Sequence, residues 1–204
     1  MKENKYDDNI FFQKYSQMSR SQQGLAGAGE WETLRKLLPD FKDKRVLDLG
    51  CGYGWHCIYA MENGASSVVG VDISHKMLEV AKEKTHFPQV EYKCCAIEDV
   101  EFPEESFDVI LSSLAFHYVA DYEILVKKIY RILKSGGKLV FTVEHPVFTA
   151  YGTQDWHYNE KGEILHFPVD NYYYEGKRTA VFLGEKVTKY HRTLTTYLNT
   201  LLSN

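Results

Sequence analysis

The feature that most constrains this chain is a glycine-rich turn that directly follows a short apolar segment. The segment V-L-D-L at 46–49 leads into G-C-G-Y-G at 50–54, and a second apolar run at 67–71 ends just before Asp72. Glycine admits positive φ and lets a backbone approach a ligand closely, and a carboxylate at the end of the next strand can accept hydrogen bonds from both hydroxyls of a ribose. The pattern predicts a binding site for a cofactor that contains a nucleoside.

The spacing of these glycines distinguishes between classes of cofactor. A dinucleotide fingerprint, G-x-G-x-x-G, requires glycine or alanine at its last position so that the helix packs closely on the strand. Counted from Gly50, that position is Trp55, so a nicotinamide dinucleotide is disfavoured. One alternative stays open at this point, since glycine-rich turns between strand and helix also occur in α/β proteins that bind no ligand.

Composition is that of an ordinary globular protein. The 204 residues are enough for a single domain, 1–204, and 44% apolar with 25% charged residues gives no sign of disorder. Lys and Arg number 24 against 28 Asp and Glu, a net charge of −4. Binding to nucleic acid needs a basic surface for the phosphate backbone, so we expect no nucleic acid partner.

The cysteines and histidines show no spacing typical of a disulfide framework or a metal site, so we expect no bound metal. We interpret the cysteines as reduced thiols in a cytoplasmic protein. They are Cys51, Cys57, Cys94 and Cys95. The chain also lacks a run of roughly 18 apolar residues such as a transmembrane helix requires, and we expect no membrane span.

Strand-like apolar runs alternate along the chain with segments of helical periodicity. This alternation predicts an α/β fold of the Rossmann-like, doubly wound type, with a mostly parallel sheet and helices on both faces. The predicted strands are 45–49, 67–71, 90–97, 107–114 and 138–145. The predicted helices are 30–38, 55–62, a helix capped by Ser74, a helix from Asp121 to Gly136-Gly137, and 189–202.

Four segments can be distinguished within the single domain. We interpret residues 1–43 as a segment that covers the cofactor, followed by a helix, and 44–146 as the cofactor-binding core. Residues 147–188 are rich in aromatic side chains, which predicts a lid over the site; a small accessory sheet that packs on the core explains the same composition. Residues 189–204 are predicted to form the last core helix.

Several stretches of the core resemble, in order and spacing, the motifs of the class I S-adenosylmethionine (SAM) dependent methyltransferases. They are V-L-D-L-G-C-G-Y-G at 46–54, G-V-D-I-S at 70–74, A-I-E-D at 96–99, S-F-D-V-I-L-S-S-L-A-F-H-Y at 106–118 and L-K-S-G-G-K-L-V-F at 133–141. The chain is most similar to the bacterial small-molecule group, methyltransferase type 11, that resembles the ubiquinone and menaquinone C-methyltransferases. This implies SAM as cofactor, S-adenosylhomocysteine as product, and methyl transfer to a small-molecule acceptor by in-line displacement.

The resemblance also implies where the cofactor binds. Gly50, Cys51 and Gly52 would pass close to the methionine part of SAM, with Asp48 steadying their loop and Asp72 holding the ribose hydroxyls. The other implied positions lie around the adenine, after the fourth strand and in the N-terminal segment. They are Ile73, Met77, Ala96, Ile97, Glu98, Ser113, Leu114, Tyr15, Met18 and Arg20.

Individual roles follow from the same resemblance. Ile97 would give adenine an apolar wall and a backbone N–H, with Glu98 near the exocyclic amine. Ala96 stands where many relatives carry Asp. Ser113 and Leu114 would offer backbone carbonyls to the cationic end of the methionine.

The end of the sequence departs from the family pattern. Class I sheets normally finish with an antiparallel hairpin after the last helix, and no strand-like segment follows 189–204. Either the sequence is a piece of a longer protein or this edge of the sheet is built differently. A fifth strand without a neighbour is an unpaired edge, which predicts pairing with a second copy of the chain as a homodimer.

The methyl group of SAM is already electrophilic, so the protein needs mainly to align a nucleophile, exclude water and remove a proton where the acceptor requires it. His117 and His145 are candidate catalytic bases because they lie near strand ends and histidine titrates near neutral pH. Packing in the core or simple exposure is the competing interpretation of each. Two other classes of protein stay open, a non-catalytic SAM-binding protein and an NAD-dependent oxidoreductase.

Overall fold

A five-stranded sheet with all strands parallel lies at the centre of the computed structural model, which describes residues 3–204. The strands are β1 Arg45–Leu49, β2 Ser67–Asp72, β3 Val90–Cys94, β4 Phe107–Ser113 and β5 Leu133–Thr142. Their order across the sheet is β3-β2-β1-β4-β5, so the winding reverses between β1 and β4 and leaves a crevice at the carboxyl ends there. The Rossmann-like fold predicted from the sequence is confirmed, with a central sheet that is wholly parallel.

Eight α-helices connect and cover these strands in the described part of the chain. They are α1 Asn9–Ser16, α2 Ser19–Gln23, α3 Trp31–Leu37, α4 Trp55–Glu62, α5 His75–Lys84, α6 Tyr122–Ile132, α7 Pro146–Ala150 and α8 Leu194–Leu202. The predicted caps are present: Asp121 accepts the Ile124 N–H at 3.0 Å, and Ser74 accepts the Met77 N–H at 3.1 Å. None of these helices between residues 3 and 204 is long and apolar enough to cross a membrane.

The two faces of the central sheet bury two separate hydrophobic clusters. Alternate residues of a strand point to opposite faces, so Leu47 and Leu49 pack with α6 and α8, whereas Val46 packs with α4 and α5. All three side chains are fully buried. Strands covered on both faces need continuous apolar runs, which is why β1, β2 and β4 could be recognised from the sequence.

The boundary between α6 and β5 lies earlier than predicted. The sequence predicts a helix that continues to Gly136-Gly137, but α6 ends at Ile132 and β5 begins at Leu133. Leu133 already pairs with Phe107 of β4, and the pairing becomes regular only after an irregularity that contains the two glycines. The glycines therefore belong to a bulged strand, because the residue that follows the helix already pairs with β4.

The last helix also differs from the prediction. Residues 189–191, predicted as its start, belong to β9 (Glu185–His191), which forms an antiparallel hairpin with β8 (Gly176–Phe182). Alternate residues of β9 are buried, so burial in this segment repeats every two residues, as in a strand, and not with the period of a helix. α8 begins only at Leu194, where Thr193 accepts the Thr196 N–H at 3.1 Å.

The segment 147–188, predicted as a lid, contains most of α7, a small hairpin and the first part of the β8–β9 hairpin. The small hairpin pairs β6 (His157–Tyr158) with β7 (Ile164–His166). Each hairpin is a separate two-stranded sheet, so within residues 3–204 no antiparallel strand extends the central sheet beyond β5. Small accessory sheets thus describe the structure of this segment, while a lid function stays a prediction.

The N-terminal segment packs against the β8–β9 hairpin. Residues 1 and 2 of the predicted covering segment lie outside the described part of the chain. Phe11 of α1 is fully buried beside Ala180 and Val187, and Lys14 Nζ donates a hydrogen bond to Leu183 O at 2.9 Å. We refer to residues 3–23 together with the β8–β9 hairpin as the cover.

The variant Phe11→Ala tests how strongly this cluster holds the cover together. Removing a fully buried ring leaves a cavity, and we expect the free energy of unfolding in urea to fall by about 3 kcal/mol. Ile10→Ala is the matched control on the same helix, because Ile10 is 60% exposed and its loss should cost less than about 1 kcal/mol. Equal losses in the two variants would contradict the role given to Phe11.

Candidate functional site

The glycine loop after β1 is tied to the end of β2 by its backbone. The N–H groups of Gly50 and Cys51 both donate to Val71 O, at 2.8 and 2.9 Å. Gly50 has a φ of 79°, and a Cβ at this position would lie 2.6 Å from the Cβ of Ala115, so only glycine fits. Gly52 has a φ of 52° and no atom within 4 Å of the place that a Cβ would take. The loop therefore turns an open stretch of backbone towards the crevice.

Asp72 ends β2 beside this loop and is fixed by two backbone donors. Its Oδ2 accepts the Gly52 N–H and its Oδ1 accepts the Ser74 N–H, both at 2.9 Å. Burial raises the pKa of Asp72, while the hydrogen bonds from Ser74 and Gly52 oppose that shift. Each carboxylate oxygen has a second lone pair, so the side chain can still accept hydrogen bonds from two hydroxyls of a ligand.

Asp48 lies beneath the loop rather than on its open side. Its side chain is 1% exposed, the Cys57 thiol lies 3.5 Å from Oδ2, and Oδ1 has no hydrogen-bond partner within residues 3–204. Burial raises the pKa of Asp48 to about 7; the hydrogen bond from Cys57 lowers it and the charge of Asp72 raises it. This position allows Asp48 to support the loop from below, but not to line the cavity above it.

A cavity of about 770 Å³ lies at the carboxyl ends of the strands. Its volume is within the range of about 300–1,000 Å³ that is typical of small-molecule sites. Most of the predicted cofactor residues line it, namely Tyr15, Met18, Arg20, Gly50, Gly52, Asp72, Ile73, Met77, Ala96, Ile97, Glu98, Ser113 and Leu114. Cys51 instead lines a smaller cavity of about 70 Å³ behind the loop.

The wall of the large cavity follows the order of the strands. Residues 96–98 come after β3 and Asp72 ends β2. The glycine loop follows β1, and residues 113–114 lie at the end of β4. Because β3, β2, β1 and β4 are consecutive neighbours in the sheet, these groups form one continuous edge.

Leu114 holds an unusual backbone conformation on this edge. Its φ is 53°, in the left-handed region that residues other than glycine rarely adopt. The Leu114 N–H donates to Thr142 O of the neighbouring strand β5 at 2.9 Å, which keeps the chain in this conformation. Such strain is typical of functional loops whose surroundings determine the backbone.

A charged pair stands beside the end of β4. Arg20 forms an ion pair with Glu30, Ser113 Oγ donates to Glu30 Oε1 at 3.1 Å, and all three residues line the cavity. Burial raises the pKa of Glu30, but hydrogen bonding and the charge of Arg20 outweigh it, and the net pKa lies below the ordinary value. The sequence marks Glu30 only as the start of a helix, because nothing in its local pattern shows that it meets the loop after β4.

The N-terminal part of the cover is attached at the start of α5. Asp7 accepts the Ser74 hydroxyl at 2.6 Å and the Lys76 N–H at 3.1 Å. Tyr15 and Met18 from the same segment line the cavity. The structure therefore brings the predicted N-terminal residues to the same cavity as the core motifs.

His117 lines the cavity on its β5 side. Its side chain is 2% exposed, and its Nδ1 accepts the Glu144 N–H at 3.4 Å. Burial lowers the pKa of His117 to about 4; the charge of Glu144 raises it, and the charges of Lys189 and Arg192 lower it. The ring is therefore neutral at pH 7 and a weak proton acceptor, which argues against the base predicted at this position.

His145 is not among the residues that line the cavity. Its Nδ1 accepts the Val147 N–H at 3.1 Å and so caps α7, which Pro146 begins. The prediction of a catalytic base at His145 has no geometric support, because the side chain is engaged with the N-terminus of its own helix. Within residues 3–204, no three His, Cys, Asp or Glu side chains converge as metal ligands would.

Few of the aromatic side chains between 151 and 190 reach the cavity. Phe182 and Tyr190 line it, whereas Tyr173 and Tyr174 are 87% and 74% exposed. Tyr6, which belongs to none of the sequence motifs, contributes a further ring from the cover. Composition cannot show which rings turn inward, because alternate residues of a hairpin face opposite sides.

This arrangement has counterparts among known proteins. A family model described as a methyltransferase domain matches residues 47–141. A Listeria monocytogenes protein of known structure, classed as an S-adenosylmethionine dependent methyltransferase, is 57% identical with a TM-score of 0.82, over 86% of this chain and 82% of that one. The crystal structure of an S-adenosylmethionine dependent methyltransferase from Mesorhizobium loti is 40% identical with a TM-score of 0.81, over 88% of this chain and 82% of that one.

A curated relative is similar over the core. The ubiquinone biosynthesis O-methyltransferase of Coxiella burnetii is 35% identical over 112 residues. The match covers 54% of this chain and 47% of the relative, so only about half of that protein is represented. These relatives are methyltransferases, the family that the sequence motifs resemble.

The variant Asp48→Asn tests the electrostatic cost of the buried carboxyl. The pKa of Asp48 is about 7 in the folded chain and about 4 in an unfolded one, so the folded state binds an extra proton between these values. Stability should therefore fall as the pH rises from about 4 to about 7, by up to about 4 kcal/mol from this group. Asparagine does not ionise, and urea unfolding of Asp48→Asn should show a flatter pH dependence over this range.

The matched control is Asp155→Asn, which changes an exposed carboxylate and should keep the wild-type slope. If Asp48→Asn also keeps that slope, the pKa of Asp48 is not raised in the folded protein.

Proposed function

Because the chain belongs to the class I S-adenosylmethionine-dependent methyltransferases, we propose that its cavity holds SAM along the strand ends and admits a small-molecule acceptor beside it. The observation that supports this most directly is the continuous wall from 96–98 through Asp72 and the glycine loop to 113–114. The wall offers an apolar surface, a carboxylate and an open backbone in the order in which adenine, ribose and methionine follow one another along SAM.

The residues at the adenine and ribose positions fit this cofactor. Ile97 and Met77 would give adenine an apolar surface, with Ala96 and Glu98 at its edge. Asp72 would accept hydrogen bonds from the two ribose hydroxyls through the lone pairs that Gly52 and Ser74 leave unused.

The residues at the methionine position fit as well. Any side chain at Gly52 would occupy the open space that the ligand needs. Ser113 and Leu114 would accept hydrogen bonds from the ammonium group through their carbonyls. Arg20 would pair with the carboxylate, because a guanidinium binds a carboxylate through two parallel hydrogen bonds, and Glu30 would stay close to the ammonium.

When bound, SAM supplies a methyl group on a positively charged sulfur, and an electron-rich atom of the acceptor attacks it in line with the breaking bond. The contribution of the chain is to align the two reactants and to exclude water. Tyr6 and Tyr15 from the N-terminal segment, with Phe182 and Val187 from the hairpin, enclose the cavity and would serve this purpose.

A small molecule is the acceptor class that the cavity favours. Its volume of about 770 Å³ suits a nucleoside cofactor with a compact partner. The net charge of −4 gives no overall excess of positive charge to attract nucleic acid, and the Coxiella burnetii relative is named for ubiquinone biosynthesis. A cytoplasmic location and a homodimer formed along β5 stay predictions from the sequence.

Calorimetry with SAM, S-adenosylhomocysteine and NAD tests the cofactor assignment. We expect the wild-type protein to bind the first two and not NAD. Asp72→Asn should weaken the binding of both by about tenfold or more, because charge-assisted hydrogen bonds to the ribose are lost. Asp155→Asn is the control and should bind normally. Binding of NAD, or unchanged affinity for SAM in Asp72→Asn, would show that the assignment is wrong.

A second comparison tests the role of Arg20. S-adenosylhomocysteine has an amino-acid carboxylate, whereas 5′-methylthioadenosine keeps the nucleoside thioether and lacks it. Arg20→Met should lower the affinity for the first ligand by about tenfold or more and leave the second unchanged. Arg35→Met, on the exposed side of α3, should change neither. Equal losses for the two ligands would rule out a specific contact with the carboxylate.

A further inference from the structure

One end of the cavity holds polar side chains that the proposed cofactor contacts do not use. Tyr6, His117, Tyr118 and Glu144 line the cavity towards β5 and the β8–β9 hairpin, and we refer to these four residues as the acceptor end. Their hydrogen bonds within the chain determine which donors and acceptors are left for a bound methyl acceptor.

His117 presents an unused hydrogen-bond donor at the acceptor end. Because Nδ1 accepts the Glu144 N–H, the neutral ring carries its proton on Nε2. Nε2 has no hydrogen-bond partner within residues 3–204, and Glu144 Oε1 is 3.9 Å away. The charged groups around the ring are Glu144, Lys189 and Arg192, and burial holds the pKa of His117 at about 4. An unused N–H on a buried ring favours a ligand atom that accepts a hydrogen bond.

Glu144 is already occupied by partners from the chain. Lys189 Nζ donates to Oε1 at 2.5 Å, and Gln154 Nε2 donates to Oε2 at 2.9 Å. The Lys189 ammonium also lies over the rings of Tyr118 and Phe182, at 6.0 and 5.8 Å from their centres. Burial raises the pKa of Glu144, but the charges and hydrogen bonds of its neighbours lower it overall. Lys189 therefore already balances the charge of this carboxylate, which is a weak proton acceptor.

The two tyrosines of the acceptor end are not suited to act as catalytic bases either. The side chains of Tyr6 and Tyr118 interact with each other, and burial raises the pKa of both phenols. Both therefore keep their protons at neutral pH. The acceptor end thus offers a donor and apolar surface, but none of its four residues readily removes a proton at neutral pH.

Two lysines add positive charge to the same cavity. Lys5 comes from the N-terminal segment and Lys177 from β8, and both line it. Among residues 3–204, neither ammonium has a carboxylate within 4.0 Å. Glu3 lines the cavity too, but its carboxylate accepts the N–H and the hydroxyl of Thr188, and the exposed Asp8 is in electrostatic range of Lys5. Ammonium groups at a cavity that form no ion pair attract anions to it.

We propose that the acceptor is methylated on an oxygen that is already anionic when it binds, as in a carboxylate or an acidic enol or phenol, and that His117 holds this group through Nε2–H. The inference rests on the proposed function. A lone pair of the oxygen forms the new O–C bond with the methyl carbon, while the C–S bond breaks and its electron pair stays on sulfur. The products are a methyl ester or ether and S-adenosylhomocysteine, and no proton has to be moved.

The first test measures release of S-adenosylhomocysteine with three sets of acceptors over a range of pH. The sets are carboxylates such as hexanoate and benzoate; acidic enols and phenols such as acetylacetone and a series of nitro- and chlorophenols; and neutral alcohols and amines such as benzyl alcohol and ethanolamine. We expect turnover in the first or second set, which also identifies the source of the oxygen. The pH below which kcat/KM falls should follow the pKa of each acceptor.

Three results would overturn the inference: turnover confined to the third set, one pH midpoint common to all acceptors, or neither turnover nor binding of any anion to the S-adenosylhomocysteine complex. In these cases normal binding of SAM leaves the proposed function intact. A protein that does not bind SAM would contradict the proposed function itself.

The second test compares two variants of His117. His117→Phe removes the donor and should raise the KM of the anionic acceptor by about tenfold or more, with the affinity for SAM unchanged. His117→Gln keeps an N–H donor and should restore most of the loss. Equal effects of the two variants, or no effect of either, would contradict the role of His117.

The lysines are tested in the same way. Lys177→Met should raise the KM for the anion several-fold, and less so at high salt. Lys186→Met, at an exposed position of β9 outside the cavity lining, is the control. Identical behaviour of the two lysine variants would show that the charge at Lys177 does not attract the acceptor.

Discussion

The rest of the structure depends on the junction between the glycine loop and the end of β2. Gly50 and Cys51 share the carbonyl of Val71, and the Gly52 N–H is bound by Asp72. These hydrogen bonds hold a backbone of positive φ next to a carboxylate where parallel strands end together. The cofactor wall is therefore largely a property of the backbone, and Asp72 is the side chain that both shapes the loop and faces the ligand.

The cover completes the site because its N-terminal part is held at two places. Glu3 accepts the Thr188 N–H at 2.9 Å on the hairpin, and Asp7 accepts the Ser74 hydroxyl at 2.6 Å on the core. Tyr6 lies between these two anchors and reaches the cavity. The contacts that stabilise the cover thus also place side chains of the acceptor end, so its stability and the shape of the acceptor site are coupled.

Charge is divided unevenly along the cavity. The wall proposed for the cationic cofactor carries the carboxylate of Asp72 and the ion pair of Arg20 with Glu30, whereas the acceptor end carries a neutral histidine and a carboxylate neutralised by Lys189. A positively charged sulfur and an anionic oxygen would each meet the complementary part of the cavity. This division would favour their approach and would leave little need for a catalytic base.

The sequence by itself determined the features that depend on neighbours along the chain: the apolar strands, the glycine loop with Asp72 twenty residues after Gly52, and helix caps such as Ser74. The tertiary structure decided what depends on distant pairing. Pairing with β4 ends α6 at Ile132, earlier than the sequence predicts. Pairing with β8 makes residues 189–191 part of a strand, although their spacing predicts a helix. Glu30 and Tyr6 reach the cavity, and His145 does not, because side-chain direction follows from packing between segments that no local spacing records.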